Sequence, residues 1–304
     1  MSGTLEGYRI EALVGKGGMA EVYRAVAVAG PRAGQPFAVK RLRPDLAHDP
    51  EFVRLFGEEA EVTRRLRHPG IVEVIDTGFA GGTPYIVMDY VDGKNLRQIL
   101  AQCATRRILL PADFAVYVAH QVSTALAHAH EGVDERGRSL GIVHCDVSPS
   151  NVFVSKLGEI KLGDFGVAHA AGTQAGGPTT GAFGKIAYLA PEQIRGEPPT
   201  PRTDIFALGS VFFELLTNEP AFPGKDVNEV GQKILRGTLR APSELRTELP
   251  FELDAMVLRC LSPDPFDRYP TAASFAAEAA TRYDAAVGTP LAIAAVVRGL
   301  FGMS

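Results

Sequence analysis

The sequence contains little cysteine and no large excess of charge of one sign. Its three cysteines, Cys103, Cys145 and Cys260, are odd in number and widely spaced, which fits neither a disulfide framework nor a zinc site. They are typical of a reducing environment, so we expect a cytoplasmic protein. The formal net charge of -4 and the pI near 6.0 provide no strongly basic surface, so nucleic acid is not an expected partner.

Long apolar runs are also lacking. The first eight residues show no basic region followed by an apolar stretch, so we expect no signal peptide. The stretch from Pro290 to Met303 is apolar but short, and Arg298 interrupts it, whereas a membrane-spanning helix needs about 20 apolar residues. We therefore expect no membrane span and interpret residues 284–304 as a helical tail that docks on the rest of the protein.

Two patterns of hydrophobicity divide the chain. Short alternating apolar runs up to Asp89 predict a small antiparallel sheet, and Pro50–Arg67 shows helical spacing that predicts one helix packed on it. Beyond Gly93 the patterns are those of longer helices, so the fold class is predicted to be α+β, with a larger, mostly helical second lobe. The predicted helices of that lobe are Pro111–His130, Asp204–Thr217, Val227–Leu235, Leu253–Leu261 and Thr271–Tyr283.

A glycine-rich segment, Gly15-Lys16-Gly17-Gly18, lies near the start of the first lobe. Glycines let a backbone approach phosphate groups closely, because no Cβ intervenes. Strand-like alternation follows through Val28, which predicts a hairpin over a nucleotide rather than the helix that opens a dinucleotide-binding turn. A plain glycine-rich hairpin without a ligand explains the same residues equally well.

Lys40 and Glu59 make the nucleotide interpretation stronger. Lys40 ends an apolar run in which a strand would direct its side chain inward beneath the glycine-rich segment. Glu59 lies on the predicted helix, and an ion pair with it would aim Lys40 at the α- and β-phosphates. The alternative is a solvated strand lysine.

Two loops of the second lobe carry the side chains that phosphoryl transfer requires. Residues 144–151 contain Asp146 and Asn151, and Asp164 follows in Asp164-Phe165-Gly166. Such a site needs one carboxylate to accept a hydroxyl proton, and an Asn and a second carboxylate to hold Mg²⁺ on the phosphates. Asp146 is therefore the predicted base, and Asn151 and Asp164 are the predicted Mg²⁺ ligands.

These motifs resemble those of the Hanks-type protein kinases, and Leu66-Arg67-His68-Pro69 resembles the bacterial members. The resemblance runs from about Tyr8 to Tyr283. It implies a catalytic domain over residues 1–283, with an N-lobe over 8–88, a hinge over 89–93 and a C-lobe over 94–283. In this family the residue seven before the Leu of that motif is the pairing Glu, which selects Glu59 over its acidic neighbours.

The resemblance also implies an ATP site. Met88 would be the gatekeeper, the backbone from Asp89 to Val91 would read adenine, and Asn95 would contact the ribose. Val22, Ala38 and Phe153 would enclose the adenine ring. The full predicted set is Val14, Gly15, Lys16, Gly17, Gly18, Val22, Ala38, Lys40, Met88, Asp89, Val91, Asn95 and Phe153.

Further structural roles follow from the same resemblance. Glu192 and Arg268 would form a buried ion pair, and Asp204 would anchor the catalytic loop. His144 would brace the backbone beside Asp164 rather than act as a base. Three candidate phosphorylation sites precede the Ala190-Pro191-Glu192 motif, namely Thr173, Thr179 and Thr180.

Two positions in the catalytic loop depart from the family pattern. Cys145 replaces the Arg that in most kinases receives the charge of a phosphorylated activation segment, so activity is expected to depend less on that charge. The thiol itself is expected to be a buried, small hydrophobic group. Ser148 replaces the Lys that neutralises the transferring γ-phosphoryl group, and electrostatic stabilisation is usually the largest catalytic contribution.

Lys185 offers a replacement for the missing cation. It lies where serine/threonine kinases have a Thr whose hydroxyl meets both the catalytic Asp and the Lys. The hydroxyl of Ser148 stands where the family has the Lys, and the ammonium of Lys185 stands where it has the Thr. This resembles an exchange of the two groups between the loops. We hypothesise that Lys185 supplies the cation near Asp146 and that Ser148 takes the hydroxyl role, the alternative being an exposed lysine in a mobile segment.

The sequence thus predicts an ATP- and Mg²⁺-dependent kinase acting on Ser or Thr hydroxyls of protein substrates, with the oligomeric state undetermined. A tyrosine acceptor stays open, because the Thr at position 185 is replaced. One alternative is a pseudokinase that binds nucleotide and signals by docking, and a second is a small-molecule kinase of the same fold. The predicted catalytic residues are Lys40, Glu59, Asp146, Ser148, Asn151, Asp164 and Lys185.

Overall fold

The computed structural model describes residues 4–5, 7–133, 136–165, 185–285 and 287–302. The chain forms two compact units, Met1–Asp92 and Gly93–Ser304. Their boundary falls inside the predicted hinge 89–93, with Gly93 in the second unit. The three candidate phosphorylation sites, Thr173, Thr179 and Thr180, lie outside the described residues.

The first unit contains an antiparallel sheet and one helix over its described residues, as predicted. The six strands follow the order β1-β2-β3-β4-β6-β5. They are Thr4–Leu5 (β1), Tyr8–Lys16 (β2), Ala20–Ala27 (β3), Pro36–Leu42 (β4), Val74–Ala80 (β5) and Thr83–Asp89 (β6). The sheet therefore begins before Tyr8, where the predicted lobe began.

The helix of this unit, α1, spans Pro50–Arg64. It begins where the Asp49 side chain accepts a hydrogen bond from the Glu51 N–H at 2.9 Å. Its buried face, which includes Phe56, packs against the sheet. The helix ends before the predicted Arg67, because the next N–H groups turn back to carbonyls three residues earlier and Pro69 follows shortly.

The second unit is mostly helical, as predicted. Its helices are Leu96–Arg106 (α2), Ala112–His130 (α3), Pro191–Ile194 (α4), Pro201–Thr217 (α5), Val227–Arg236 (α6), Pro242–Leu245 (α7), Phe251–Cys260 (α8), Ala272–Ala279 (α9) and Pro290–Phe301 (α10), with a 3₁₀ turn at Pro265–Asp267. Every residue of α5 from Thr203 to Thr217 is buried, so this helix forms the core against which α3 and α8 pack.

Several helix ends differ from the predicted ones. Helix α5 starts at Pro201 rather than Asp204, because the Thr200 hydroxyl accepts from the Arg202 N–H at 3.3 Å and proline suits the first helical turn. Helix α9 ends at Ala279, before the predicted Tyr283. Helix α2 and a three-stranded sheet were not predicted, and the strands of that sheet are too short to show alternation.

The small sheet of the second unit positions the two predicted catalytic loops. Its strands are Gly93–Asn95 (β7), Val152–Ser155 (β8) and Ile160–Leu162 (β9), paired in the order β7-β8-β9. Residues 144–151 lead directly into β8, and Asp164 follows β9. Because β8 and β9 are antiparallel neighbours, the loop before β8 and the loop after β9 lie at the same end of these two strands.

The predicted tail helix docks on the second unit as α10. Its buried residues lie on one face, and the Gln102 side chain of α2 donates to the Leu300 carbonyl at 3.1 Å. Arg106 of the same helix donates to the Gly299 carbonyl at 3.1 Å. Among the helices that the structure describes, none combines the length and apolarity needed to cross a membrane.

Candidate active site

One face of the first sheet carries several of the residues predicted to contact ATP. In the strand ladder Val22 lies opposite Lys40, and Ala38 lies opposite Met88. Ala38 and Lys40 are two residues apart on β4, so their side chains point to the same face. The sheet therefore brings Val22, Ala38, Lys40 and Met88 together.

The predicted ion pair between Lys40 and Glu59 is present. Lys40 Nζ lies 2.5 Å from Glu59 Oε1, with side-chain exposures of only 12% and 13%. Because little water competes at such exposures, this pair fixes the ammonium more firmly than a surface pair would. Helix α1 thus holds the end of the lysine that the β4 strand directs to this face.

The acidic neighbours of Glu59 are engaged elsewhere. Glu58 pairs with Arg54 at 2.7 Å, and Glu61 pairs with Arg65 at 2.9 Å, both along the exposed side of α1. Such exposed pairs contribute little to stability. The selection of Glu59 as the partner of Lys40 is therefore confirmed.

The glycine-rich segment forms the predicted hairpin. The Gly17 N–H donates to the Ala20 carbonyl at 2.8 Å, and Val14 is the extra residue of a β-bulge. None of Gly15, Gly17 and Gly18 has a positive φ. A Cβ would come no closer than 3.6 Å to Val22 from Gly15 and 3.4 Å to the Ala20 oxygen from Gly17, while Gly18 faces open space. The hairpin itself therefore does not require glycine at these positions.

Two of the remaining predicted ATP contacts already have structural partners. The Asp89 N–H donates to the Glu73 carbonyl at 3.0 Å. Asn95 caps α2, since its side chain accepts from the Gln98 N–H at 2.9 Å and its own N–H donates to Gln98 Oε1 at 3.1 Å. Phe153 lies opposite Asn95 in the small sheet. The capping role of Asn95 was not predicted from the sequence. Its contact with the ribose stays a prediction.

Asp204 anchors the catalytic loop, as predicted. Its carboxylate is fully buried and accepts from the backbone N–H groups of His144 and Cys145, each at 2.8 Å. His130 Nε2 lies 2.8 Å from the same carboxylate, a contact that the sequence analysis missed. Because a buried carboxylate needs several donors, the two backbone contacts fix the loop to the start of α5, and the His130 contact joins α3 to the same point.

His144 braces the backbone, as predicted. Its Nδ1 accepts from the Asp146 N–H at 3.2 Å, and its Nε2 donates to the Gly163 carbonyl at 3.1 Å. The ring also packs against Phe165, with centroids 4.4 Å apart. Both ring nitrogens are satisfied by the neutral tautomer, so this histidine is not available as a base.

The Asp146 carboxylate receives two side-chain donors. Asn151 Nδ2 lies 3.0 Å from Asp146 Oδ2 and 2.8 Å from the Asp146 carbonyl oxygen. Lys185 Nζ lies 2.8 Å from the same Oδ2. The predicted proximity of Lys185 and Asp146 is therefore present, although the lysine side chain is 57% exposed.

Asp164 and Cys145 share an uncommon backbone conformation. Four described residues other than glycine have a positive φ, and two of them, Arg107 and Asn218, end helices. The other two are Cys145, at 64°, and Asp164, at 56°. Such conformations cost about 1–3 kcal/mol and concentrate at functional sites. In this chain they mark the two loops that carry the predicted base and Mg²⁺ ligand.

The two departures from the kinase pattern are both buried. Cys145 is 4% exposed, and burial, followed by the charges of Asp204 and Asp146, raises the pKa of its thiol. It is therefore a small hydrophobic group, as predicted, and not a reactive thiolate. Ser148 is 5% exposed, and its carbonyl accepts from the Asn151 N–H at 3.0 Å.

Glu192 and Arg268 form the predicted buried ion pair. The guanidinium binds the carboxylate through two hydrogen bonds, of 2.8 and 2.9 Å, and the Thr203 hydroxyl donates to the same carboxylate at 2.8 Å. The Arg268 guanidinium also lies over the ring of Phe206, 4.9 Å from its centroid. Burial alone would raise the pKa of Glu192, but the hydrogen bonds and charge of Arg268 outweigh it and lower that pKa.

A further polar cluster was not predicted from the sequence. Arg97 donates to the Tyr188 hydroxyl at 2.6 Å and to Glu214 Oε1 at 3.2 Å, while that hydroxyl donates to Glu214 Oε2. Burial, followed by the charge of Glu214, raises the pKa of Tyr188, so the phenol stays neutral. No motif or spacing relates these positions. The one signal was a glutamate inside the apolar pattern of α5.

Comparisons with known proteins agree with this geometry. A family model described as the protein kinase domain matches residues 8–279. Serine/threonine-protein kinase PknB of Mycobacterium tuberculosis is 39% identical over 89% of this chain and 42% of its own length. Serine/threonine-protein kinase PrkC of Bacillus subtilis is 36% identical over 91% and 41%. Tyrosine-protein kinase MasK of Myxococcus xanthus is 38% identical over 86% and 40%.

The chain spans about two fifths of the length of these relatives. Among solved structures, the kinase domain of Mycobacterium tuberculosis PknI matches with a TM-score of 0.68 and 30% identity, over 92% of this chain and 98% of that one. With the family model matching most of its residues, the chain belongs to the protein kinase domain family, among the bacterial Hanks-type serine/threonine kinases.

Proposed function

We propose that this chain is an ATP- and Mg²⁺-dependent protein kinase that transfers the γ-phosphoryl group of ATP to Ser or Thr hydroxyls. The arrangement around Asp146 carries the proposal. Asn151 and Lys185 both donate to its carboxylate. The loop that carries Asp146 is itself fixed by the backbone hydrogen bonds to Asp204. A carboxylate oriented in this way can accept the proton of an acceptor hydroxyl as phosphoryl transfer proceeds.

The first unit supports ATP binding. Lys40, held by Glu59, presents an ammonium on the sheet face shared with Val22 and Met88. The hairpin adopts its conformation without needing glycine at positions 15, 17 and 18. Phosphate groups that approach the hairpin backbone would require the absence of a Cβ there. This favours nucleotide binding over a plain glycine-rich hairpin.

The residues present also fit Mg²⁺. Asn151 uses its Nδ2 on Asp146, so its amide oxygen is left for a metal ion, and Asp164 offers a carboxylate. The Gly163 N–H donates to the Asn151 carbonyl at 2.9 Å, which keeps Asp164 next to Asn151. When bound, Mg²⁺ neutralises charge on the phosphates, and oxygen donors are the ligands it prefers.

Lys185 is the proposed replacement for the catalytic-loop lysine. Its ammonium lies within 2.8 Å of the predicted base, where a cation would stabilise the transferring phosphoryl group. Ser148 is the proposed hydroxyl partner. Removing one such electrostatic contact typically costs about 10²–10³ in kcat, so Lys185→Thr should slow phosphoryl transfer by about that factor.

The exchange of residue types provides a direct test. Lys185→Thr together with Ser148→Lys recreates the common kinase arrangement, so the double variant should recover most of the activity that Lys185→Thr loses. Lys225→Thr, at an exposed lysine of the same unit, is the matched control and should keep wild-type kcat. A Lys185→Thr variant as active as the control would contradict the assigned role.

The kinase activity is tested by incubation with Mg²⁺ and ATP, followed by mass spectrometry of the phosphorylated residues. We expect phosphoserine or phosphothreonine in the wild type and about background levels in Asp146→Asn. Phosphotyrosine would move the acceptor class towards that named for MasK. Incorporation no greater in the wild type than in Asp146→Asn would instead support a pseudokinase that acts by docking.

A further inference from the structure

Arg97 connects three parts of the second unit. Its backbone N–H donates to the carbonyl of Pro149, in the catalytic loop, at 3.0 Å. Its guanidinium donates to Tyr188 at 2.6 Å and to Glu214 of α5 at 3.2 Å. A single residue of α2 thus contacts the loop that carries Asp146 and the segment that follows Lys185.

Tyr188 in turn fixes the backbone of Lys185. The Tyr188 N–H donates to the Lys185 carbonyl at 3.1 Å, and the Leu189 N–H donates to the Ile186 carbonyl at 3.1 Å. These bonds close a single tight turn. The phenol at the end of this turn is buried, 7% exposed, against Arg97 and Glu214. Displacing Tyr188 would therefore shift the Lys185 backbone.

The ion pair of Lys185 with Asp146 cannot hold the lysine in place by itself. The lysine side chain is 57% exposed, and pairs at such exposure contribute about 0–1 kcal/mol. A lysine side chain also has four rotatable bonds, so its ammonium is poorly localised by a single contact. The backbone around Lys185 must therefore provide most of the positioning.

Charge balance explains why the arginine matters more than the phenol alone. Glu214 is 7% exposed, and a carboxylate at that depth needs a cationic partner. Arg97 is its partner at 3.2 Å, and it also donates to the hydroxyl that Glu214 accepts from. Without the guanidinium, the carboxylate would draw in water or another donor, and the contact that fixes Tyr188 would weaken.

We propose that Arg97 is a positioning residue, which holds the Lys185 ammonium on Asp146 by fixing Tyr188. This inference rests on the proposed function, because the position of Lys185 matters only if its ammonium assists phosphoryl transfer. Misplacing a catalytic group by about 1 Å can cost about 10²-fold in rate. Arg97→Gln should therefore lower kcat by roughly tenfold to 10²-fold, with little change in KM for ATP.

The decisive experiment is a double-mutant cycle on kcat with Arg97→Gln and Lys185→Met. If Arg97 acts through Lys185, Arg97→Gln lowers kcat in the wild type but hardly changes it in the Lys185→Met background. Arg97→Lys keeps the charge and should recover part of the loss. Tyr188→Phe removes the hydroxyl and should reproduce the Arg97→Gln result by the same route.

Arg106→Gln is the matched control. Arg106 lies on the same helix, and its contact is to the Gly299 carbonyl of α10, so its loss should leave kcat unchanged. Urea unfolding of each variant separates a loss of folding from a loss of positioning. If Arg97→Gln does not fold, Tyr188→Phe takes its place in the cycle.

The outcomes distinguish the two proposals. If Lys185→Met keeps wild-type kcat, the assigned role of Lys185 is wrong and the positioning role is overturned with it. If Lys185→Met is slow, but Arg97→Gln lowers kcat by the same factor in both backgrounds, only the positioning role is overturned. An unchanged kcat in Arg97→Gln overturns it as well. Non-additive losses with an unchanged Arg106→Gln support it.

Discussion

Neutralising Glu192 should strongly destabilise the second unit. In the variant Glu192→Gln the amide can still accept one hydrogen bond from Arg268, but the guanidinium loses the only carboxylate that it contacts among the described residues. Arg268 is 1% exposed, so water cannot replace that partner. The variant therefore tests what an uncompensated buried charge costs in this fold.

The hydrogen bonds of Arg268 set the size of the effect. All five of its N–H groups are used, two on Glu192 and the others on the carbonyls of Ser262, Arg202 and Pro263. The fold around the guanidinium is thus fixed and cannot relax to expose it. Breaking a buried pair of this kind costs about 3–5 kcal/mol. At about 2–4 °C per kcal/mol for domains of roughly this size, Tm should fall by about 10 °C.

Urea unfolding followed by circular dichroism measures this effect, because the chain has no tryptophan to report by fluorescence. The double variant Glu192→Leu with Arg268→Met removes both charges and should be more stable than either single variant. If Glu192→Gln lowers the free energy of unfolding by less than about 1 kcal/mol, the reasoning is refuted, because the buried pair would then contribute no more than an exposed salt bridge.

The pH dependence supplies an independent check. The pKa of Glu192 is lowered on folding. The ion pair therefore makes its full contribution to stability above the pKa of the unfolded carboxyl group, about 4.3. That contribution is lost as pH falls through the lower, folded pKa. The difference in unfolding free energy between the wild type and Glu192→Gln should therefore be largest near neutral pH and shrink below about pH 4.

Two further predictions concern packing and thiol chemistry. Gly158 has a φ of 83°, and a Cβ there would overlap the Pro290 carbonyl oxygen. Gly158→Ala should thus speed amide exchange throughout α10, whereas Gly196→Ala, with a φ of 73° and open space, should not. All three cysteines are buried, and burial raises the pKa of each thiol. A disulfide reagent should modify them only after denaturation, and rapid labelling of the native protein would contradict this assignment.

The pairs that could be predicted from the sequence are those whose positions the family pattern defines. Lys40 with Glu59 and Glu192 with Arg268 follow from positions that the strand, the helix and the family pattern define. The contact of Lys185 with Asp146 was inferred differently, from two departures from the family pattern that were hypothesised to compensate each other. The two departures from the family pattern, Ser148 and Lys185, were therefore as informative for predicting a contact as the residues that match the pattern.

The features that were not predicted from the sequence were missed for physical reasons. The small sheet β7-β8-β9 consists of strands of three or four residues, which are too short to show alternation. The capping role of Asn95 depends on where α2 begins, and helix boundaries are the weakest product of periodicity. The contact of His130 with Asp204 joins two helices whose relative rotation no local pattern specifies.

The cluster of Arg97, Tyr188 and Glu214 indicates what the proposed exchange of residue types between two loops would demand of the surrounding fold. Ser148 lies on a loop that Asp204 anchors directly through two backbone N–H groups. Lys185 lies on a different segment, and the buried Tyr188 phenol is one of the described anchors of that segment. A lysine on the catalytic loop would inherit the rigidity of that loop, whereas Lys185, as proposed, would depend on contacts made three residues later. On this proposal, moving the cation would transfer the requirement for rigidity to Arg97 and Glu214, whose charges would have to stay balanced for the ammonium to stay on Asp146.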